Sequence, residues 1–223
     1  MRVSFRGRCA ISVSTLLLSG LLFAASETGS KLVLGDFSSG SMAGWESKEF
    51  KGPTHYQLTK QDGTTVLQAV SSGSASGLFK QQSIDLRKTP FLNWRWRIDN
   101  RLGTLNEQSK SGDDYAARVY IVISGGLAFW RTRAINYVWA STSPKGNSWP
   151  NAYAGDHAVM IAQRSLGDGT GKWYTEKRNV LADINRYIGK DIESIDAVAI
   201  MTDTDDSKGS VTAYYGDIYF SEH

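Results

Sequence analysis

Cysteine occurs once, at Cys9, so the chain forms no internal disulfide, no zinc–thiolate centre and no cysteine nucleophile in its body. Histidine is nearly as scarce. His55, His157 and His223 have no serine or second histidine at a catalytic or metal-binding spacing, which argues against hydrolase triads and histidine metal sites. The closest approach to a nucleophile elbow, Gly73-Ser74-Ala75-Ser76-Gly77, has alanine at the position that needs serine. Residues 167–173 look like a phosphate loop, but Leu166 stands at its first glycine and Trp173 at its hydroxyl.

A charge excess is also missing from most of the chain. The formal net charge is +3, and Arg2, Arg6 and Arg8 account for it, leaving residues 27–223 formally neutral. A neutral domain has no net attraction to nucleic acid or to an anionic membrane. The one long apolar run, Ala10 to Ala25, is interrupted by serines and Gly20. It is shorter than the roughly 20 residues of a membrane span.

Three arginines, an apolar stretch and then Ala24-Ala25-Ser26 follow the order of a secretory signal. The expectation is cleavage near Ser26, a periplasmic product and no membrane span in the mature chain. Cys9 precedes the apolar core, which does not suit a lipid-modified cysteine. Residues 27–223 then read as one domain, with no repeat or linker dividing them. That length buries roughly 70% of the unfolded surface, enough for a core without disulfides.

Short aromatic and β-branched runs separated by Gly, Ser, Asn and Asp predict strands near 31–37, 44–50, 55–60, 64–70, 77–82, 91–99, 115–124, 135–140, 157–164, 172–182, 195–203 and 211–220. Ile184 to Gly189, with Asp183 as N-cap, is the one helical candidate. Such a list predicts an all-β, antiparallel β-sandwich. Within 91–99 the alternation puts Leu92, Trp94, Trp96 and Ile98 on a core face and Arg95 and Arg97 on the other. The same reasoning collects Arg95, Arg97, Arg118, Glu176 and Arg178 on one polar face, beside the loop acids Asp113 and Asp114. Trp149 and Tyr153 lie in the long segment 142–156 and are expected at its rim.

Guanidiniums on that face suit an anionic sugar, since they bind carboxylates bidentately. Aromatics suit the apolar faces of sugar rings. Two carboxylates near a sugar also describe a glycosidase pair, here Asp113, Asp114 or Glu176. Cross-strand ion pairing accounts for the same residues with no ligand at all. Asp203-Thr204-Asp205-Asp206 alternates carboxylates as calcium loops do, but Tyr214 stands where the closing glutamate belongs, so a strand-to-strand turn is the simpler reading.

From Phe91 onward the segments WRWRID, SGDDYAARVYIVI, INYVWA, WPNAY, EKRNVLADI and AVAIMTDTDD…AYYGDIYF resemble the bacterial domain of unknown function 3047. That resemblance implies one exported domain and no particular activity. Leu34-Gly35-Asp36-Phe37 with Gly44-Trp45, and the terminal Tyr215-Gly216-Asp217-Ile218-Tyr219-Phe220, are similar to the end strands of jelly-roll, galactose-binding-like carbohydrate-binding modules. This second resemblance implies a structural calcium at Asp36 and Asp217. The expectation is an exported, lectin-like saccharide-binding sandwich that needs no cofactor beyond that ion; a polysaccharide-cleaving enzyme and a ligand-free envelope protein are the alternatives.

Overall fold

Alternating side chains become two facing sheets, as their period of two requires. The computed structural model describes Met1 and residues 29–223; apart from Met1, the segment read as a signal lies outside the described residues. These hold the strands β1 (Lys31–Gly35), β2 (Glu46–Lys51), β3 (His55–Gln61), β4 (Thr64–Ser72), β5 (Ala75–Asp85), β6 (Phe91–Ile98) and β7 (Arg118–Ile123). There follow β8 (Arg133–Trp139), β9 (Ser148–Asn151), β10 (Gly155–Arg164), β11 (Tyr174–Asn179), β12 (Ser194–Asp203), β13 (Ser210–Tyr215) and β14 (Ile218–Ser221), with one helix, α1 (Val180–Tyr187).

Sheet I runs β1-β14-β6-β13-β4-β3, with β11 on the remaining edge of β6. Sheet II runs β2-β5-β12-β7-β8-β10-β9. The result is the all-β, jelly-roll-like sandwich expected. Among the described residues no helix is long and apolar enough to cross a membrane.

Four details depart from the sequence reading. β8 and β10 are parallel, because the chain between them crosses over and places β9, read as loop, antiparallel on the far edge of β10. The segment 211–220 is two strands. Gly216 breaks it, for a Cβ there would stand 2.4 Å from Arg95 Cγ; β13 and β14 then pair end to end along β6. The helix starts at Val180, four residues early, because the Asn179 side chain accepts from the Ala182 amide at 2.9 Å and caps it. Asp183, expected as the cap, instead binds Arg178 and the Tyr137 hydroxyl.

The core lies between the sheets. Trp94, Trp96 and Ile98 of β6 meet β8, with Trp94 stacked on Tyr137 at 5.4 Å and Trp96 at 5.8 Å from Trp139. Edge-to-face contact between Trp94 and Trp96 adds to their burial. The tryptophans therefore face the core, as their alternation with arginine requires.

Candidate functional site

The outer face of sheet II is built from three rows in register. Phe79, Ala199, Tyr120, Asn136 and Met160 form the middle row across β5, β12, β7, β8 and β10. Gly77, Met201, Arg118, Val138 and Ala162 form the next, and Gln81, Ala197, Val122, Ala134 and Ala158 the third. Small side chains dominate these rows, so the face is hollow.

One hollow is a cavity of about 600 Å³ with Ala75, Ala134, Ala158 and Met201 among its apolar lining and Arg118, Tyr120 and Asn136 as polar groups. A second, of about 800 Å³, continues along the face past Phe79 and Val122. Phe79 and Tyr120 meet edge to face at 5.6 Å where the two adjoin. Together they form a trough along β7 and β12.

Three loops wall its polar end. Gly112 approaches Asn106 so closely that a Cβ would lie 2.4 Å from the Asn106 carbonyl oxygen, and this contact turns the chain so that Asp113 and Asp114 enter β7. Asp114 is fully buried and accepts from the amides of Asp206 and Ser207, at 3.2 and 2.6 Å, tying down the turn after β12. Glu107, which the sequence reading passed over, binds the amides of Ser141, Thr142 and Ser143 and the hydroxyls of Thr142 and Ser143. That carboxylate pins two long loops together.

Arg118 is 8% exposed. Its Nη2 donates to Asp203 Oδ2, its guanidinium lies 4.8 Å from the Tyr115 ring centre, and its Nε has no partner. Burial works against the cation, but Asp203 and Asp113 outweigh it and hold Arg118 above the ordinary arginine range. Burial pushes the Asp203 carboxyl up to about 7 even though Arg118 pulls it down. Asp113 is raised too, again by burial first; the Asn151 amide, at 2.9 and 2.8 Å, and the Tyr115 hydroxyl, at 3.1 Å, hold it in place.

Tyr120 and Asn136 are 8% and 4% exposed, line the cavity, and have no side-chain hydrogen bond to any described residue. Buried amides and hydroxyls are ordinarily bonded. Here the cavity is where their donors and acceptors point. Phe50 and Tyr153, 55% and 57% exposed, form the rim.

The expected single polar face is corrected: its members occupy three surfaces. Arg95 and Arg97 lie on the outer side of sheet I, over Trp173 at 4.7 Å and Tyr214 at 5.3 Å, and Arg97 pairs with Asp99 at 2.8 Å. Glu176 is opposite Trp94 on β6 and so faces inward, accepting from Trp96 Nε1, Gln163 and Arg164 at 3.1, 2.5 and 2.5 Å. Arg178 pairs with Asp183. The alternation within β11 was right, but the polar set there is the inward one, because its members satisfy one another. Only Asp113, Asp114, Arg118 and Tyr153 gather at the trough.

Trp149 is a second correction. It is 5% exposed and packs with Tyr115, Val138 and Met160, because the segment read as a rim loop is strand β9. Asp217 is a third case of internal bonding: its two carboxylate oxygens accept from the Ser38 amide at 2.8 Å and the Ser38 hydroxyl at 2.6 Å. Asp36 lies beside this clamp, its backbone carbonyl accepting from the Ser39 hydroxyl and the Ser41 amide. The Asp217 carboxylate, expected as a calcium ligand, is held by Ser38 donors on both its oxygens.

Sequence reasoning missed Asn136, Phe50 and Asp203 as site residues. The signal for Asn136 was there, one amide inside the apolar run Ile135 to Ala140. Asp203 was visible within the alternating acids Asp203-Thr204-Asp205-Asp206 but read as a turn, and Phe50 carried no signal, since only folding brings β2 to this trough.

A family model described as Protein of unknown function (DUF3047) matches residues 43–219. No functionally curated protein matches. Among solved structures the chain is similar to the family 11 carbohydrate-binding module of the cellulosomal cellulase Lic26A-Cel5E of Clostridium thermocellum, with 10% identity and TM-score 0.47 over 86% of this chain and 95% of that one. It is similar to the family 30 module of the cellulase Cel9D-Cel44B of the same organism, with 9% identity and TM-score 0.48 over 86% and 98%. It is also similar to the cellulose induced protein Cip1, with 11% identity and TM-score 0.46 over 84% and 96%.

Proposed function

The chain belongs to the family described as Protein of unknown function (DUF3047), a description that carries no activity, and from the geometry of the trough we propose that it is an exported saccharide-binding protein. The observation behind this reading is that Tyr120, Asn136 and Arg118 line one cavity, and that the Tyr120 and Asn136 side chains have no hydrogen-bond partner among the described residues. A polyhydroxylated ligand supplies the missing partners, and the Phe50 and Tyr153 rings offer its apolar faces a surface. A trough that continues past Phe79 accommodates more than one sugar ring.

The test is a glycan array on the purified protein, repeated with Asn136→Leu. Binding by the wild type that is lost in the variant supports the proposal. A folded wild type that retains no glycan overturns it.

Cleavage of the bound glycan is a second reading, favoured by the raised carboxyls of Asp113 and Asp203 in the same cavity. Carboxyls raised from the ordinary range are suited to donating and accepting protons, and Asp203 titrates at about 7. Asp114 and Glu176 drop out of that role, because both are buried away from the cavity and neither lines it. Mass spectrometry of glycans incubated with the protein decides this, since binding alone leaves their masses unchanged.

A further inference from the structure

The charge at the polar end of the cavity is the reverse of what the arginine pattern led one to expect. Its lining holds four carboxylates, Asp113, Asp203, Asp205 and Asp206, against two cations, Lys51 and Arg118. Both cations are already paired, Arg118 with Asp203 and Lys51 with Asp205 at 3.4 Å. A sugar carboxylate entering here finds a neutralised guanidinium and two further acids. Repulsion follows.

Asp113 and Asp206 are the carboxylates left over. Neutral donors hold each of them: Asn151 and Tyr115 for Asp113, and the Tyr153 hydroxyl, at 2.7 Å, for Asp206. Neither has a cation within ion-pair distance among the described residues. Burial raises Asp113 first; the Arg118 charge works against that rise and Asp206 adds a little to it. Lys110 lies over the Tyr153 ring at 5.1 Å and is not part of the lining. An acidic cluster on its own is unremarkable on a protein surface. Here it adjoins Tyr120 and Asn136, whose unpartnered groups independently mark the cavity as built for a ligand.

We infer that this site takes a saccharide bearing a protonated amine, an unacetylated amino sugar, with its ammonium between Asp113 and Asp206 and its hydroxyls on Asn136 and Tyr120. The inference rests on the saccharide reading above. Ammonium groups also gain from nearby aromatic faces, and Tyr120, over which no cation lies among the described residues, lines the cavity. Acetylation removes the charge and adds bulk. A uronic acid carries the wrong sign.

Isothermal titration calorimetry on the full-length exported protein tests this with three tetramers: β-1,4-linked glucosamine, its N-acetylated form and galacturonate, with spermidine as an amine that is not a sugar. The free-amine tetramer is expected to bind at least tenfold more tightly than the acetylated one and galacturonate the most weakly. Asp206→Asn should cut that preference to under threefold, and added salt should weaken it as screening requires. Equal or tighter binding of the acetylated or anionic tetramer overturns the inference while leaving the saccharide reading intact. Spermidine binding as tight as the free-amine tetramer overturns the sugar component, and a folded protein that binds none of the three tetramers overturns both.

Discussion

Tyr120 and Asn136 stand directly opposite one another on β7 and β8, and neither side chain has a hydrogen-bond partner among the described residues. Both are more than nine-tenths buried. The saccharide proposed above would supply both with partners.

Tyr120→Phe and Asn136→Leu should therefore abolish glycan binding without destabilising the fold. Neither change removes a hydrogen bond to a described residue, so neither forfeits the roughly 1 kcal/mol that such a bond contributes. Urea denaturation should give each variant a midpoint equal to or above that of the wild type. A clear loss of stability would show that these groups serve the fold.

Asp203 makes stability depend on pH. The unfolded carboxyl titrates near its ordinary 3.8, whereas in the fold it titrates at about 7, so between these values the folded state binds more protons. The stabilisation is complete below about pH 4, is lost as pH rises through about 7 and does not change further above it. Asp113 acts in the same direction. Melting temperatures measured from pH 4 to 8 should fall with rising pH, and Asp203→Asn should flatten the slope even though it weakens the Arg118 pair.

Trp96→Ala removes the partner of Trp94 and Trp139 and leaves Glu176 without one of its donors. Large-to-small core changes of this type cost about 3–5 kcal/mol. Chemical denaturation should show a loss in that range. A wild-type midpoint would contradict the face assignment of β6.

Chelation should leave the fold unchanged. Ser38 closes on Asp217 through two hydrogen bonds, so the melting temperature in EGTA should equal that in added calcium. A drop of several degrees on chelation would show a stabilising ion, held either at Asp36 and Asp217 or by Asp114, Asp205 and Asp206, whose ligand atoms lie within 4.8 Å of one another.

Export is checked by mass. An osmotic-shock fraction should contain a product lacking about the first 26 residues, the size of an ordinary signal segment. An intact chain recovered with membranes would overturn the signal reading.

What was legible in the sequence was whatever depends on near neighbours. The Trp94 and Trp96 alternation placed β6 correctly, and Gly112-Asp113-Asp114 marked a loop that does wall the trough. What was hidden depends on which strands face outward. Alternation tells two faces apart but does not name the one that meets the core, so Glu176 and Arg178 were assigned to the wrong surface. Trp149 was misplaced because β9 is only four residues long and contains Pro150, which interrupts the strand signal. The pairing of Arg118 was hidden for a related reason: its partner Asp203 arrives from a distant strand.

The two outer strands of sheet II have a bearing on solubility. β2 reads Glu-Ser-Lys-Glu-Phe-Lys and is exposed along its whole length, and β9 carries a proline that offers no amide to a neighbour. Unpaired strand edges invite other chains to add on, and charge and proline are the usual deterrents. With no disulfide to hold it closed, this sandwich resists self-templating aggregation through the chemistry of its margins. Replacing Lys48 and Glu49 with valine would leave the core untouched and yet turn one margin into a seed for fibrils.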